Sequence, residues 1–396
     1  MKAQLAALGL ALALAGSIAP GRTQTATYTI PVILSQTGPA ASPGGDQYAA
    51  LEAYEKLVNR TGGIRGEQLH FAVYDDGSSP QTAVQLTNTI LAQKPAVVIG
   101  STLSPATTAM MPFFKDGPVL FALTPLVYPE KGSYVFGTLP LVTHVESVMF
   151  RYMRARGWNK VGYLRTNDVS GQDNEKAIDG ALAEPANRSI AITTRQLFNG
   201  ADLNIAAQVS ALKFSGAQAL FVSATGAPFG TVLRSLSDAG VDLPIFTGAT
   251  NIAPDFIARF KTYVPKSGLW IVFPSYAKRD RPARDPLRAT IDEFYITLEG
   301  AGLHPGAAHA FAWDEAKIVV AALRALGPNA SAQQIHEWIE GLHDFPGALG
   351  MYDFRVGDQH GLDEKSCYIV RYDPNAVGGG DTQVVSDAGG APLGGH

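Results

Sequence analysis

Strand-like and helix-like stretches alternate along this 396-residue chain in two successive series, and that rhythm limits its fold more than any other feature. Tyr28–Leu34 is an apolar, β-rich run in which Pro31 points to an edge position or a bulge. Asp46–Arg60 carries a helical stripe of Tyr48, Leu51, Ala53, Leu57 and Val58, closed by Thr61-Gly62-Gly63. Gln68–Asp75 alternates as a strand, and Ser79–Gln93 opens as a helix at Ser79-Pro80. Ala96–Ile99 is a short buried strand, Pro105–Phe114 a helix and Val119–Leu123 a further strand. A second series begins near His144 and runs through Lys160–Leu164, Ile190–Gln196, Ala219–Val222, Ile245–Gly248 and Leu269–Phe273, with helices between. Strands separated by helices of about 10–15 residues imply parallel sheets with right-handed crossovers. Two such series imply an α/β protein of two doubly wound domains.

Length agrees, since about 100–200 residues per domain gives two. The chain is 46% hydrophobic and 17% charged, the balance of a globular protein. A net charge of -4 provides no basic field, which weighs against nucleic-acid binding. Cys367 is the single cysteine, so an internal disulfide and a thiolate metal cluster are both ruled out.

The first residues read as a secretory leader. Lys2 precedes an apolar run from Ala3 to Ala15, and Ala13-Leu14-Ala15 has small residues at cleavage-site spacing. That run is too short to span a bilayer, and no later segment reaches the ~18–20 apolar residues a span needs. Residues 1–25 are therefore expected to be signal peptide and leader, and the periplasm is the expected compartment. At the other end, residues 376–396 are rich in Gly, Asp and Ala and are expected to be a disordered tail.

Catalytic constellations are missing from the sequence. Gly38 to Gly45 after the first strand has the wrong spacing for a dinucleotide turn, and no GxxxxGK[ST] cradle or GxSxG elbow follows. The eight histidines include no HExxH pair. Asp75 and Asp76 are adjacent on a strand end, where neighbouring side chains point to opposite faces, and they read as loop caps. No enzymatic activity, metal or cofactor is expected.

What remains is a place to bind. Val98 to Thr108 runs from a buried strand end through Thr102, Leu103 and Ser104 into a helix, with Pro105 suited to the first turn. Ser104 is placed as its N-cap, where free N–H groups and hydroxyls suit a carboxylate. In a parallel sheet, ligands lie outside the carboxyl ends of strands, where this segment falls.

Together these residues resemble a known family. Gly38-Pro39, the Thr61 to Gly66 turn, Tyr74-Asp75-Asp76, Val98-Ile99-Gly100, Leu123-Thr124-Pro125 and Phe246-Thr247-Gly248 occur in the order seen in periplasmic leucine/isoleucine/valine-type binding proteins. These are solute receptors of ABC importers with the type I periplasmic-binding fold. The resemblance implies two lobes joined by three crossings near residues 144, 272 and 350. Lobe 1 would be 26–143 plus 273–350, and lobe 2 would be 144–272 plus 351–375. It also implies a monomer whose partners are a small carboxylate and a membrane permease.

Carried over by position, Ser104 falls where the family's serine holds the ligand carboxylate, and Leu126 where a backbone amide helps. Tyr128 stands where a threonine is usual, and Thr250 where an acidic residue pairs with the ligand's ammonium. Pro43, Ser170 and Thr225 (or Gly226) stand where aromatic side chains often wall the site. A neutral Thr250 cannot balance a buried cation. The resemblance with these departures implies a carboxylate lacking an ammonium, such as a hydroxybenzoate. A branched-chain or other amino acid is the alternative ligand, and an extracytoplasmic sensor without transport the alternative role.

Overall fold

The computed structural model describes residues 26–124, 127–252, 254–356, 359–373 and 381–394. The expected leader, 1–25, lies outside them, as does Leu126.

The first sheet is five-stranded and wholly parallel. Its strands are β1 (Thr27–Leu34), β2 (Gln68–Asp75), β3 (Val97–Gly100), β4 (Val119–Ala122) and β5 (Val135–Gly137), in the order β2-β1-β3-β4-β5. Helices α1 (Ala41–Arg60), α2 (Pro80–Leu91) and α3 (Ser104–Met110) form its crossovers. Both faces of β1 are covered, which is why Ile30 to Leu34 is a continuous buried run. Ile30, Val32 and Leu34 join one core with α1, while Ile33 joins another with Ala83, Ile90 and Phe114. Pro31 therefore sits in an interior strand, not at an edge. It is tolerated because β3 meets β1 only at Val32 and Ile33, so Pro31 has no partner on that side.

The second sheet has seven strands: β6 (Lys160–Thr166), β7 (Ala191–Phe198), β8 (Ala219–Ser223), β9 (Ile245–Thr247) and β10 (Leu269–Pro274), then β13 (Cys367–Asp373) and β14 (Asp381–Val384). The first five run parallel in the order β7-β6-β8-β9-β10, and β13 and β14 add antiparallel strands beyond β10. Its helices are α4 (Val142–Ala155), α5 (Val169–Ala183), α6 (Ala206–Lys213), α7 (Ala227–Asp238) and α8 (Pro254–Phe260).

Three later helices, α9 (Arg288–Gly300), α10 (Ala307–Leu326) and α11 (Ala332–Glu340), return to the first sheet. Trp313 of α10 is fully buried, 4.7 Å edge-on to Tyr54 of α1 and 5.6 Å from Phe294. The Thr61 to Gly66 turn is locked to the end of α10, with Arg65 donating to the Arg324 and Ala325 carbonyls and Arg324 to that of Gly63. Gly63, at φ 61°, has no substitute, since a Cβ there would lie 1.9 Å from the Glu67 carbonyl.

Residues 381–394 overturn the expectation of a disordered tail. β14 pairs with β13, Val385 N–H bonds to Ile369 O, and Val385 and Ser386 are buried. Arg151 of α4 donates to the Gly389 carbonyl at 2.6 Å. Composition misled because a Gly-rich segment needs few apolar side chains when an open sheet edge supplies its hydrogen bonds. The third crossing also comes later than residue 350. Strands β11 (Phe345–Pro346) and β12 (Met351–Tyr352) form a small hairpin-like pair, after which Phe354 packs on Phe136 of β5. His360 bonds to the Val127 and Leu139 carbonyls, and the second sheet is rejoined only at Cys367.

Candidate functional site

The first crossing leaves the carboxyl end of β5 for α4, and the second leaves the carboxyl end of β10 for α9. The carboxyl ends of both sheets thus face one another across the hinge, and the loops that follow those ends line a shared cleft.

On the first sheet, those loops are tied together by buried polar groups. Gly100 adopts φ 132°, and a Cβ there would stand 2.2 Å from the Ile33 carbonyl, so β3 can turn only with glycine at this point. Asp76 is fully buried and accepts from the Ser35 hydroxyl at 2.7 Å and the Ser101 hydroxyl at 2.5 Å. Thr102 Oγ1 accepts from Ser35 N at 3.1 Å and donates to Gln47 Oε1 at 2.7 Å. Gln47 in turn donates to the Leu123 carbonyl at 3.1 Å. The Thr102 hydroxyl is therefore spent on the scaffold, and Leu103 packs against the core beneath. Asp75 accepts from Gln36, Thr37 and Gly77 backbone N–H groups and from the Thr37 hydroxyl. Burial opposes its ionisation, but these hydrogen bonds outweigh that and hold its pKa below the ordinary aspartate value. Both members of the acidic pair thus cap loops.

Ser104 does not cap α3. It is the first helical residue, Leu103 takes the cap position without a side-chain hydrogen bond, and the Ser104 hydroxyl sits 2.5 Å from Thr124 Oγ1 at the end of β4. Tyr128 is half-exposed, and its phenol pKa is raised by burial and then by Asp173 of α5 and Glu146 of α4. Pro43 lies half-buried in the first turn of α1.

The second lobe presents its candidates differently. Ser170 lies exposed in the first turn of α5, where the Asp168 carboxylate caps Gly171 N–H at 2.8 Å. Thr225 and Gly226 are exposed at the start of α7. Buried Asn251 holds their loop, donating to Ala224 O and Thr247 Oγ1, both at 2.7 Å, and accepting from Gly226 N–H at 3.2 Å. Thr250 belongs to the short turn Ala249–Ile252 beside Asn251, and its side chain lies outside the described part.

At the base of the cleft is a cavity of about 110 Å³, contributed by both lobes and the crossings. Leu139, Ala307 and Phe311 line it from one side, and Val145, Ala249 and Phe273 from the other. None of these was a candidate from sequence. Phe311 was legible only as one residue of a helical stripe, and nothing local shows that a stripe ends at a hinge. Two buried carboxylates brace that hinge. Asp314 accepts from Ala348 and Leu349 N–H groups at 2.8 Å and from the Tyr352 hydroxyl at 2.9 Å, while Glu315 accepts from Thr138 at 3.2 Å. Burial raises the pKa of both. A larger depression of about 390 Å³ between Lys213 of α6 and Asp238 of α7 contains none of the candidates.

The sequence profile of the periplasmic binding protein family matches residues 27–380, and the chain belongs to that family. A leucine-, isoleucine-, valine-, threonine- and alanine-binding protein of Pseudomonas aeruginosa is 27% identical over 247 residues, 60% of this chain and 64% of its own. A Leu/Ile/Val-binding protein of Escherichia coli K12 is 24% identical over 222 residues, 55% of this chain and 54% of its own. The matches thus span less than two thirds of these relatives. Among solved structures, a type 1 periplasmic binding protein of Bordetella pertussis Tohama I aligns with TM-score 0.76 at 19% identity, covering 91% of this chain and all of that one. A branched-chain amino acid transporter substrate-binding protein of Streptococcus pneumoniae, in complex with isoleucine, aligns with TM-score 0.72 at 17% identity, covering 90% and 99%. The fold is the type I periplasmic-binding fold. Among the described residues, no helix is long and apolar enough to cross a membrane.

Proposed function

We propose that this chain is the extracytoplasmic solute receptor of an ABC importer, holding a small carboxylate with an apolar body between its lobes. The observation that carries this reading is the apolar cavity at the hinge, built jointly by Phe311 and Leu139 on one side and Phe273 and Ala249 on the other. A ligand touching both walls is bound best when the lobes are together, so binding shifts the population toward the closed form. The closed form is what a membrane permease would recognise at its outer face. The Ser104–Thr124 hydroxyl pair provides a polar end for the carboxylate. Thr225 and Ser170, exposed on the second lobe, complete the pocket on closure.

Small and branched-chain amino acids are the favoured class, because the Pseudomonas aeruginosa relative is named for leucine, isoleucine, valine, threonine and alanine, and the Escherichia coli one for the first three. An aromatic acid without an ammonium, such as hydroxybenzoate, is the second reading, favoured by the neutral Thr250. Isothermal titration of the full chain with leucine, isoleucine and 4-hydroxybenzoate tests both. Micromolar leucine binding with no heat from hydroxybenzoate is the expected result. The reverse selects the aromatic acid, and silence toward every small carboxylate removes the receptor reading.

A further inference from the structure

α6 departs from its neighbours in the face it turns to solvent. Ile205, Val209 and Leu212 pack into the core, as the inner stripe of an amphipathic helix should. The outer face lacks the charges that normally accompany such a stripe. α5 has Lys176 and Asp179 exposed, whereas α6 exposes Ala206, Ala207, Ser210 and Ala211 and reaches a charged side chain only at Lys213, its last residue. Leu203 precedes the helix and Phe214 follows it. At 87% and 84% exposure they are the two most exposed large apolar side chains among the described residues. Apolar groups gathered on one exposed face mark a surface that something else covers.

Beside this face lies the depression of about 390 Å³ between α6 and α7. Ser210, Lys213 and Phe214 form one wall, and Ser235, Asp238 and Ala239 the other. Both helices run from the carboxyl ends of the second sheet back to its amino ends, so Lys213, Phe214 and Asp238 sit at the end away from the cleft. Lys213 Nζ donates to the Ala239 carbonyl at 3.3 Å, and among the described residues neither Lys213 nor Asp238 forms an ion pair. Each wall therefore carries one unpaired charge, the two are opposite in sign, and both stand at the same end of the groove.

We propose that this face is where a second copy of the chain docks, about a two-fold axis running along the groove. Such an axis sets α6 of each copy against α7 of the other. Lys213 then faces the partner's Asp238, the pair forms twice, and each Phe214 ring is covered by the opposite wall instead of by water. The pattern selects a copy of itself, because a partner of one charge sign would satisfy one wall and repel the other. An axis in this direction leaves both clefts at the same end of the pair and covers neither, so the inference stands apart from the receptor reading. The face comprises residues 203–214 with 234–239, fewer than the ~20–30 residues a side of a stable interface, and the dimer is accordingly weak. The monomer implied by the family resemblance then holds only at low concentration.

Sedimentation velocity of the full chain over about 5–500 µM tests this. Wild type is expected to pass from monomer to dimer with a dissociation constant on the order of 100 µM. Phe214→Ser should raise that constant at least about tenfold. Lys213→Glu and Asp238→Lys should each raise it about three- to tenfold, and the double variant should return to within about threefold of wild type, because the pair is exchanged and not lost. Ligand affinity by titration should stay at the wild-type value in all four, since these residues lie away from the cleft. Carbodiimide coupling in a mixture of unlabelled and heavy-isotope-labelled protein should give mixed-isotope links between Lys213 and Asp238. A wild type that stays monomeric throughout the range overturns the inference and leaves the face to a different macromolecule. A dimer untouched by Phe214→Ser, or a double charge reversal no better than either single one, overturns it as well.

Discussion

The two edges of the cleft are built in opposite ways. On the first lobe, the loops after β1, β2 and β3 are drawn together by Asp76, Thr102 and Gln47, and most hydroxyls there are already engaged. On the second lobe, Ser170, Thr225 and Gly226 stand exposed, and Asp168 and Asn251 hold only the backbone behind them. A rigid edge keeps its shape without ligand, so little ordering entropy is lost when one arrives. An edge with unspent hydroxyls retains groups for contacts that exist only after closure. The difference assigns preorganisation to one lobe and adaptation to the other.

The most severe way to break this contrast is Asp76→Ala, which strands the buried Ser35 and Ser101 hydroxyls and takes the acceptor from the half-buried Ser78 N–H. A loss of about 3–5 kcal/mol is expected in urea unfolding followed by circular dichroism. Asn251→Ala, the counterpart on the second lobe, removes three hydrogen bonds around one loop. About 1–3 kcal/mol is expected, together with faster amide exchange at Thr225 and Gly226. Ser104→Ala should leave the unfolding midpoint within about 0.5 kcal/mol and weaken ligand binding about 5–10-fold by titration. Unchanged affinity would remove Ser104 from the site.

The smallest effect is one of pH. Because Asp75 has a folded pKa below 3.8, its stabilisation is present above that value and is lost as pH falls through the folded pKa. Asp75→Asn should lower unfolding stability at pH 7 by less than about 1 kcal/mol, since the group is largely solvated. The two curves should meet in acid below the depressed pKa, whereas a constant offset would show that the carboxylate charge is not what matters.

Much of the first lobe was legible in the sequence because its cues are local. Val97–Gly100 is short and apolar, Thr61 to Gly66 is glycine-rich, and each strand pairs near its neighbours in the chain. Ser104 was legible as a residue after a buried strand, but reading it as the N-cap was wrong, since Leu103 takes that position. The hinge cavity was illegible because Leu139 and Phe273 come from two crossings and Phe311 from a distant helix, each with ordinary surroundings. The tail strand escaped for the same reason, as its partner β13 is defined by long-range pairing.

The first sheet draws all its strands from one stretch, 27–137, but the second sheet is not complete until β14 and the Val385–Ile369 bond add residues near the chain's end. During synthesis, then, the first sheet has its full complement of strands while the second still lacks its outermost edge. The Arg151–Gly389 contact fastens residues 381–394 onto α4. Completion of the second sheet therefore depends on residues 381–394, and a chain lacking them would keep the five-stranded platform but face it with a jaw short of its outer edge.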